Sequence, residues 1–238
     1  MAHKSGLGPA LRRMMGVAPP AGREAPRAAE TVLMNDTRLR IFRLLCNRPG
    51  APVRQLGREA HIAPPSVLWH LGKLVGSGAV SRAELCGRTV YYPSGMVAPA
   101  DLELLALLGD GARASAVRRV LESPGLAQAE LSGGKGVSGR TLGGLASLGV
   151  LAVVRDGRHR RYYPAPAFLR KKGLYERRAG RFRRHLLALL EREGLSPEAE
   201  RYNSTFLDVR VRLGTRPESL RLLCNPFALE ARDGPLSP

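Results

Sequence analysis

The sequence predicts a mainly helical α+β protein in which two sets of three helices are each followed by a short β-hairpin. Three observations lead to this prediction. Apolar residues recur at helical spacing in 64–77, an alternating basic segment follows in 80–92, and the tripeptide Tyr-Tyr-Pro at 91–93 recurs 71 residues later, at 162–164. A long basic helix and a terminal hairpin complete the predicted order.

Composition favours an anionic partner. The 238 residues carry a formal net charge of +18, and the excess is mostly arginine, which binds phosphate and guanine in a planar, bidentate way. A genome rich in G and C would also favour arginine, alanine, glycine and proline, although it hardly explains so large a charge imbalance. The length suits two small domains with tails.

The spacing of the three cysteines and the absence of long apolar runs indicate in which cellular compartment the protein is expected. Cys46, Cys86 and Cys224 form no metal-ligand or disulfide pattern, which favours a reducing environment. No apolar run approaches the roughly 18 residues of a membrane span, and the N-terminus lacks the apolar core of a secretory signal. We therefore expect a cytoplasmic, nucleoid-associated protein that does not contact a membrane.

The chain divides into four predicted parts. Residues 1–29 read as a disordered basic tail, either an arm that touches DNA phosphates or, as we prefer, an unstructured extension. Residues 30–98 form a first domain and 99–165 a second, degenerate copy. Residues 166–238 supply a basic helix and a β-hairpin.

The first domain has three helices and a hairpin. A helical pattern begins near Glu30 with Leu39, Phe42, Leu45 and Cys46 on one side and stops at Pro49-Gly50. Val53–Ala60 forms the next helix, His61–Ala63 a tight turn, and Pro64–Ser77 the third helix. Two strands follow in 80–92, joined at Cys86-Gly87. This is the element order of a winged helix.

The third helix presents an unusual outward face. Val67, Leu71, Leu74 and Val75 share the buried stripe, so Pro65, Trp69 and Lys73, with Ser66 at the margin, point the other way. Trp69 is the only tryptophan in the sequence. A ring folded back onto the protein or covered by the second copy is the alternative, and a first-turn helix starter is the alternative for Pro65.

The run PPSVLWHLGKLVGSGAV resembles the third helix and first wing strand of archaeal and bacterial winged helix-turn-helix transcriptional regulators of the ArsR-like and MarR-like group. Val67, His70, Leu71, Leu74 and Gly78 match the core pattern of that family. The likeness covers about sixty residues. The resemblance implies a winged-helix fold and a regulator that binds double-stranded DNA. The adjacent Trp69 and His70 form a pair that is common in archaeal members of the family.

The second copy departs from the pattern. Its predicted helices cover 112–123, 126–131 and 137–148, and its wing covers 150–163 with a turn at Asp156-Gly157. Gly143 and Gly144 lie inside its third helix, and each costs about 0.5–1 kcal/mol relative to alanine. The wing is strongly basic, so we expect this copy to hold the DNA backbone more than it reads bases.

The C-terminal part is a long helix and a hairpin. The helix has Phe168, Leu174, Phe182, Leu186, Leu189 and Leu190 as its predicted apolar stripe. It could form a homodimer, lie against phosphate, or pack on its own domain. Residues 206–213 alternate as a half-buried strand, 214–217 turn, and 219–224 return as a second strand, which must pack on the helix, on a wing or on another subunit.

The function we expect is sequence-specific DNA binding in transcription regulation, with the first domain reading bases and the second domain and C-terminal helix binding phosphates. The candidate DNA-binding residues are Pro65, Ser66, Trp69, His70, Lys73, Arg82, Arg88, Arg140, Thr141, Arg155, Arg158, Arg160 and Arg161. Operator, effector and oligomeric state do not follow from the sequence.

Other functions are weaker predictions. His70 lies at the edge of the buried stripe and fits a packed structural role better than a ligand role, and no cysteine and histidine cluster indicates a metal site. We find no phosphate-binding loop, nucleophile elbow or zinc-protease motif, so we expect no enzyme activity and no cofactor. The alternative function is a winged-helix adaptor for protein interactions or a non-specific nucleic-acid or chromatin-binding protein.

Overall fold

The computed structural model describes residues 31–132, 137–213 and 216–231. The predicted tail 1–29, the middle of the connection into the third helix of the second copy and part of the terminal hairpin turn lie outside these residues. The α+β class is confirmed, with helices dominating and three small antiparallel sheets.

Within the described residues, the first three helices are α1 (Asp36–Asn47), α2 (Val53–Ala60) and α3 (Pro64–Ser77). Helix α1 begins later than the pattern near Glu30 suggested, because the side chain of Asn35 accepts a hydrogen bond from the amide of Arg38 and caps the helix there. The pattern-predicted side chains Phe42, Leu45 and Cys46 are buried.

The turn between α2 and α3 is held by close backbone packing. His61 adopts the left-handed conformation with φ of 58° and ends α2. A Cβ on Gly57 would lie 2.8 Å from the carbonyl oxygen of Ile62, so only glycine lets the turn pack this closely. This turn directs α3 so that Val67, Leu71 and Leu74 are fully buried beneath it.

Two antiparallel strands form the first wing, β1 (Val80–Leu85) and β2 (Arg88–Pro93). Cys86 and Gly87 join them, both with positive φ, at 49° and 70°. Positive φ at both central residues matches the twist of a tight hairpin. The predicted turn is therefore correct.

The second set of elements follows a short connection. A 3₁₀ turn (Pro99–Asp101) and helix α4 (Leu102–Leu107), which the sequence reading missed, lead to α5 (Gly111–Glu122), strand β3 (Leu126–Ala127), α6 (Gln128–Ser132), α7 (Gly139–Ser147), β4 (Leu151–Asp156) and β5 (His159–Pro164).

Two details of the second set differ from prediction. The segment predicted as a helix over 126–131 begins as strand β3, because Leu126 and Ala127 pair with Tyr162 and Arg161 of β5. The wing turns at Gly157 and Arg158, one residue later than predicted, because Asp156 still pairs with His159 in the ladder.

The two hairpins share one hydrogen-bond pattern. The amide of Ser94 donates to Ala79 at 3.0 Å, and the amide of Ala165 donates to Val150 at 3.0 Å, at the same 71-residue offset as the Tyr-Tyr-Pro repeat. Gly50 donates to Tyr91 and Gly125 to Tyr162 in the same way, at 2.9 and 2.8 Å. This geometry supports the predicted pair of winged-helix units, and their division near residue 98 remains a proposal.

Helix α8 (Pro166–Arg192) packs on its own chain through a buried stripe that includes Tyr175 and Ala179 and leaves out the predicted Leu174. Leu174 is 42% exposed, while Tyr175 is fully buried. From Phe168, the helical period reaches Tyr175, Ala179 and Phe182, and Leu174 falls off this line. The ring of Phe182 lies 6.4 Å from that of Phe42 in α1, so α8 lies against the first unit.

The C-terminal residues form a three-stranded sheet, β6 (Glu198–Tyr202), β7 (Phe206–Leu213) and β8 (Arg216–Leu223), in the order β6-β7-β8. The predicted hairpin is thus joined by a third strand, which sequence reasoning missed because its side chains are all exposed and show no alternation. The inward residues Leu207, Val209 and Val211 are fully buried, and β8 contacts α1. The sheet therefore completes the core around the first helix.

Glu193, just after α8, ties the helix to the start of the first unit, and its burial makes the contact sensitive to pH. A carboxylate oxygen of Glu193 accepts from the amide of Leu33 at 3.2 Å. Burial raises the pKa of Glu193 above its ordinary 4.5, although the hydrogen bonds that its carboxylate accepts from the backbone of Leu33 and Val32 oppose the rise. The folded state therefore holds this proton more tightly than the unfolded chain, and the stability falls as pH rises from 4.5 through the raised pKa.

We expect Glu193→Gln to raise the free energy of unfolding at pH 7.5 and to leave it nearly unchanged at pH 4.5, since glutamine keeps the acceptor and removes the buried charge. Urea unfolding at the two pH values measures the difference, with the exposed Glu191→Gln as the matched control. A loss of stability at pH 7.5 would contradict the prediction.

Candidate nucleic-acid interface

The outward face of α3 is the centre of the candidate interface. Pro65, Ser66, Trp69 and Lys73 are exposed, and Trp69 displays 57% of its surface. Proline at the start of the helix fixes the backbone without needing its missing amide. The tryptophan therefore stands free, as the helical spacing predicts, and is covered neither by the second unit nor by the C-terminal sheet.

Trp69 is oriented by its neighbours on the helix. Its ring meets the ring of His70 edge to face, with centroids 4.9 Å apart, and Lys73 Nζ lies 5.5 Å from its centroid. These contacts pre-order an aromatic surface beside a positive charge.

His70 lies half-buried at the edge of this surface. Its Nδ1 is buried and has no hydrogen-bond partner among the residues that the structure describes. Burial, with a smaller contribution from the charge of Arg38, lowers the pKa of His70 below 6.5. Its imidazole is therefore mainly neutral near pH 7, and it can offer a hydrogen bond but little charge.

The first wing adds two exposed cations. Arg82 on β1 and Arg88 on β2 make no ion pair within the described part of the chain. The nearby Glu84 accepts a hydrogen bond from Thr89 at 2.6 Å. Both guanidinium groups therefore remain available to an anionic partner.

Helix α7, the counterpart of α3, offers a smaller surface. Arg140 is exposed, but the amide of Thr141 donates to the Ser138 side chain at 3.2 Å and their hydroxyls lie 3.0 Å apart, so Thr141 belongs to the helix cap. Gly143 and Gly144 face open space, where an added Cβ would meet nothing within 4 Å.

The second wing brings arginines into direct opposition. Arg155 on β4 pairs across the ladder with Arg160 on β5, and Arg158 occupies the turn. All three are exposed and lack ion-pair partners among the described residues. Like charges directly opposite each other in a sheet are destabilising, and a bound anion would relieve that repulsion.

Arg161 has a structural role that the sequence did not reveal. Its Nε donates to Asp156 at 2.6 Å, and its Nη1 donates to the carbonyl oxygen of Gly125 at 3.1 Å. The hydrogen bond from Arg161 also lowers the pKa of Asp156. Arg161 therefore links the wing to strand β3 and is less available for phosphate than Arg155, Arg158 and Arg160.

Sequence reasoning missed several exposed apolar side chains beside these cations. Leu68 is 49% exposed next to Trp69, and in the second unit Leu148, Val153 and Val154 are 47%, 41% and 51% exposed. The position of Leu68 outside the buried stripe of α3 was the signal that could have identified it.

The described residues contain no group of three metal-ligating side chains close enough to hold an ion. In the same portion of the chain, no helix combines the length and apolar character that crossing a bilayer requires.

Comparison with known proteins places the first unit in context. Residues 35–102 match a family model described as an N-terminal HTH domain. The chain is also 32% identical over 95 residues to an uncharacterised HTH-type transcriptional regulator of Methanocaldococcus jannaschii. That match covers 40% of this chain and 24% of the relative, so the chain spans about a quarter of the length of the relative it matches.

These matches agree with the geometry. The chain carries a winged helix-turn-helix domain of the kind found in transcriptional regulators, and the archaeal resemblance fits the organism of the relative. The narrower ArsR-like and MarR-like grouping and the second, tandem unit remain predictions.

Proposed function

We propose that the protein is a transcriptional regulator that binds double-stranded DNA, reading bases with α3 and holding phosphates with the second wing and the basic face of α8. The observation that carries the proposal is the free-standing Trp69 beside Lys73 on the third helix of a helix-turn-helix domain. The HTH-type regulator of M. jannaschii supports the same reading. A cytoplasmic, nucleoid-associated location is part of the proposal.

The chemistry of α3 suggests how it would read DNA. Its exposed side chains include few hydrogen-bonding groups, so apolar contact with base edges and thymine methyl groups would contribute more than bidentate pairing. Lys73, Arg82 and Arg88 would neutralise phosphates on either side of the groove and fix the register.

The second unit would contribute affinity without sequence preference. The opposed pair Arg155 and Arg160, with Arg158 at the tip, forms a compact positive site that suits a phosphate backbone. Arg170, Arg177, Arg181 and Arg184 are exposed along α8 and would extend the positive surface.

An adaptor function in protein assemblies is the second candidate. The exposed apolar side chains of Leu148, Val153 and Val154 in the second unit favour it, since a partner protein would bury them. Trp69 favours DNA instead, because it stays exposed beside Lys73 and is covered by neither the second unit nor the C-terminal sheet.

Trp69→Ala should reduce discrimination between an enriched and a scrambled DNA duplex by about tenfold, while leaving the salt dependence unchanged. Arg158→Ala combined with Arg160→Ala should weaken binding to both duplexes by the same factor. It should also reduce the magnitude of the slope of log K against log salt by about 2, since each lost phosphate contact removes about 0.9 from that slope. Fluorescence anisotropy with duplexes selected from a random library, at four salt concentrations, measures both quantities.

Arg212→Ala, an exposed arginine on β7 outside the proposed interface, is the matched control and should change neither quantity. If Trp69→Ala lowered the affinity for both duplexes equally, the proposal that α3 reads bases would be wrong. Binding that no variant weakens would contradict the proposed interface as a whole.

A further inference from the structure

The C-terminal sheet carries a cavity that the DNA-binding proposal does not use. Its volume is about 520 Å³, and its lining combines Arg43 of α1 with side chains from all three strands of the sheet. Volumes of about 300–1,000 Å³ are usual for small-molecule sites. The cavity therefore lies where the sheet meets the first helix of the helix-turn-helix domain.

One side of the cavity offers unpaired donors. The Nε of Arg43 is buried and donates to no acceptor in the described ranges, and burial lowers the pKa of this guanidinium. Arg201 is exposed at the rim, again with no ion pair among the residues described. The guanidinium of Arg221 stacks on Phe206, with 4.4 Å between its Cζ and the ring centroid. An anion in the cavity would meet the positive charge of these three guanidinium groups.

The other side offers an acceptor that lacks a donor. Glu200 is paired with Arg210 and lies within 3.4 Å of the Ser219 hydroxyl. Asp208 differs, because its Oδ1 is buried and no described residue donates a hydrogen bond to it. The nearest cation, Arg221 Nε, is 3.7 Å away, too far for a hydrogen bond. The Asp208 side chain as a whole is 23% exposed and lines the cavity, so its carboxylate can accept a hydrogen bond from a molecule bound there.

We propose that this cavity binds a small carboxylate that also carries a hydrogen-bond donor, that is, an amino acid or a hydroxy acid. Its carboxylate accepts from the guanidinium groups of Arg43 and Arg201, and its ammonium or hydroxyl group donates to the exposed part of the Asp208 carboxylate. Since Arg43 belongs to α1, the ligand would bridge the C-terminal sheet and the helix-turn-helix domain.

Three acids with one carbon skeleton test the proposal. Succinate, L-malate and L-aspartate are four-carbon dicarboxylates that carry a hydrogen, a hydroxyl and an ammonium group, respectively, at the second carbon. Isothermal titration of the full chain at constant ionic strength should show L-malate and L-aspartate binding at least about tenfold more tightly than succinate, because only they supply the donor. Asp208→Ala should abolish this preference, because alanine removes the acceptor. Arg43→Gln should weaken the binding of all three acids about tenfold or more.

Arg212→Gln, on the same strand as Asp208 and outside the lining, is the matched control and should change nothing. Equal affinity of the three acids for the wild-type chain, which requires no variant to fold, would overturn the proposal. So would the absence of binding by any of them at 10 mM, roughly the weakest affinity worth assigning to a site, or equal losses for Arg43→Gln and Arg212→Gln. The titration contains no DNA, so its failure leaves the proposed function untouched.

Discussion

Phe182→Ala is expected to lower the free energy of unfolding by about 3–5 kcal/mol, the usual cost of removing a buried phenylalanine ring. Phe182 is 1% exposed and packs on Phe42 of α1, so its loss leaves a cavity between the long helix and the helix-turn-helix domain. Urea unfolding followed by far-UV circular dichroism measures the change.

Leu174→Ala is the control on the same helix. It removes an apolar side chain of similar kind that is 42% exposed, so the cost should stay within about 0.5 kcal/mol. Similar losses for both variants would mean that α8 does not pack on the first unit through the stripe described above.

Asp101→Ala should be the second most destabilising change, at about 2–3 kcal/mol, because it breaks a network that joins the segment after the first wing to α8. Asp101 is 8% exposed and accepts hydrogen bonds from Tyr175 at 2.8 Å and from Lys171 at 2.5 Å. The Tyr175 oxygen in turn accepts from the amide of Ala98 at 3.0 Å. Burial raises the pKa of Tyr175, so its hydroxyl stays protonated and continues to donate to Asp101.

A double-mutant cycle separates this network from simple loss of packing. Tyr175→Phe should cost about 1–2 kcal/mol, since it leaves the amide of Ala98 and one oxygen of Asp101 without a partner. The double variant should cost less than the sum of the single changes, because both remove the same hydrogen bond. Strict additivity in thermal or urea unfolding would show that the two residues act separately.

The elements that the sequence predicts best are those whose packing is local. The stripe of Val67, Leu71 and Leu74 repeats at the helical period, and the Cys86-Gly87 turn follows from residue types that suit a two-residue hairpin. The repeat of Tyr-Tyr-Pro likewise located the second hairpin, because the same ladder is built on it in both places.

The elements that sequence reasoning missed depend on distant partners. Strand β3 has two residues and exists only because β5 lies beside it, and exposed β6 is held by β7. Tyr175 lies on the helical period from Phe168, but the prediction favoured Leu174 as the more apolar neighbour; the sequence did not show that the Tyr175 hydroxyl meets Asp101, 74 residues away.

The residues of the candidate interface also differ in whether local geometry or distant partners determine their placement. Exposure of Trp69 and Lys73 follows from helix geometry, so their placement could be predicted. The hydrogen bonds of Arg161 to Asp156 and Gly125 depend on strand pairing. An arginine-rich segment such as RDGRHRR does not show which guanidinium groups already have a hydrogen-bond partner.

The contact between Leu33 and Glu193 spans 160 residues and has a consequence for how the chain folds during synthesis. At about 5–20 residues per second, a ribosome needs roughly 10–30 s to add that stretch. During this interval the nascent first unit lacks α8 and the C-terminal sheet, which cover the buried side of α1. The apolar side chains of α1 that pack against α8 and the C-terminal sheet therefore stay uncovered until those elements have been synthesised.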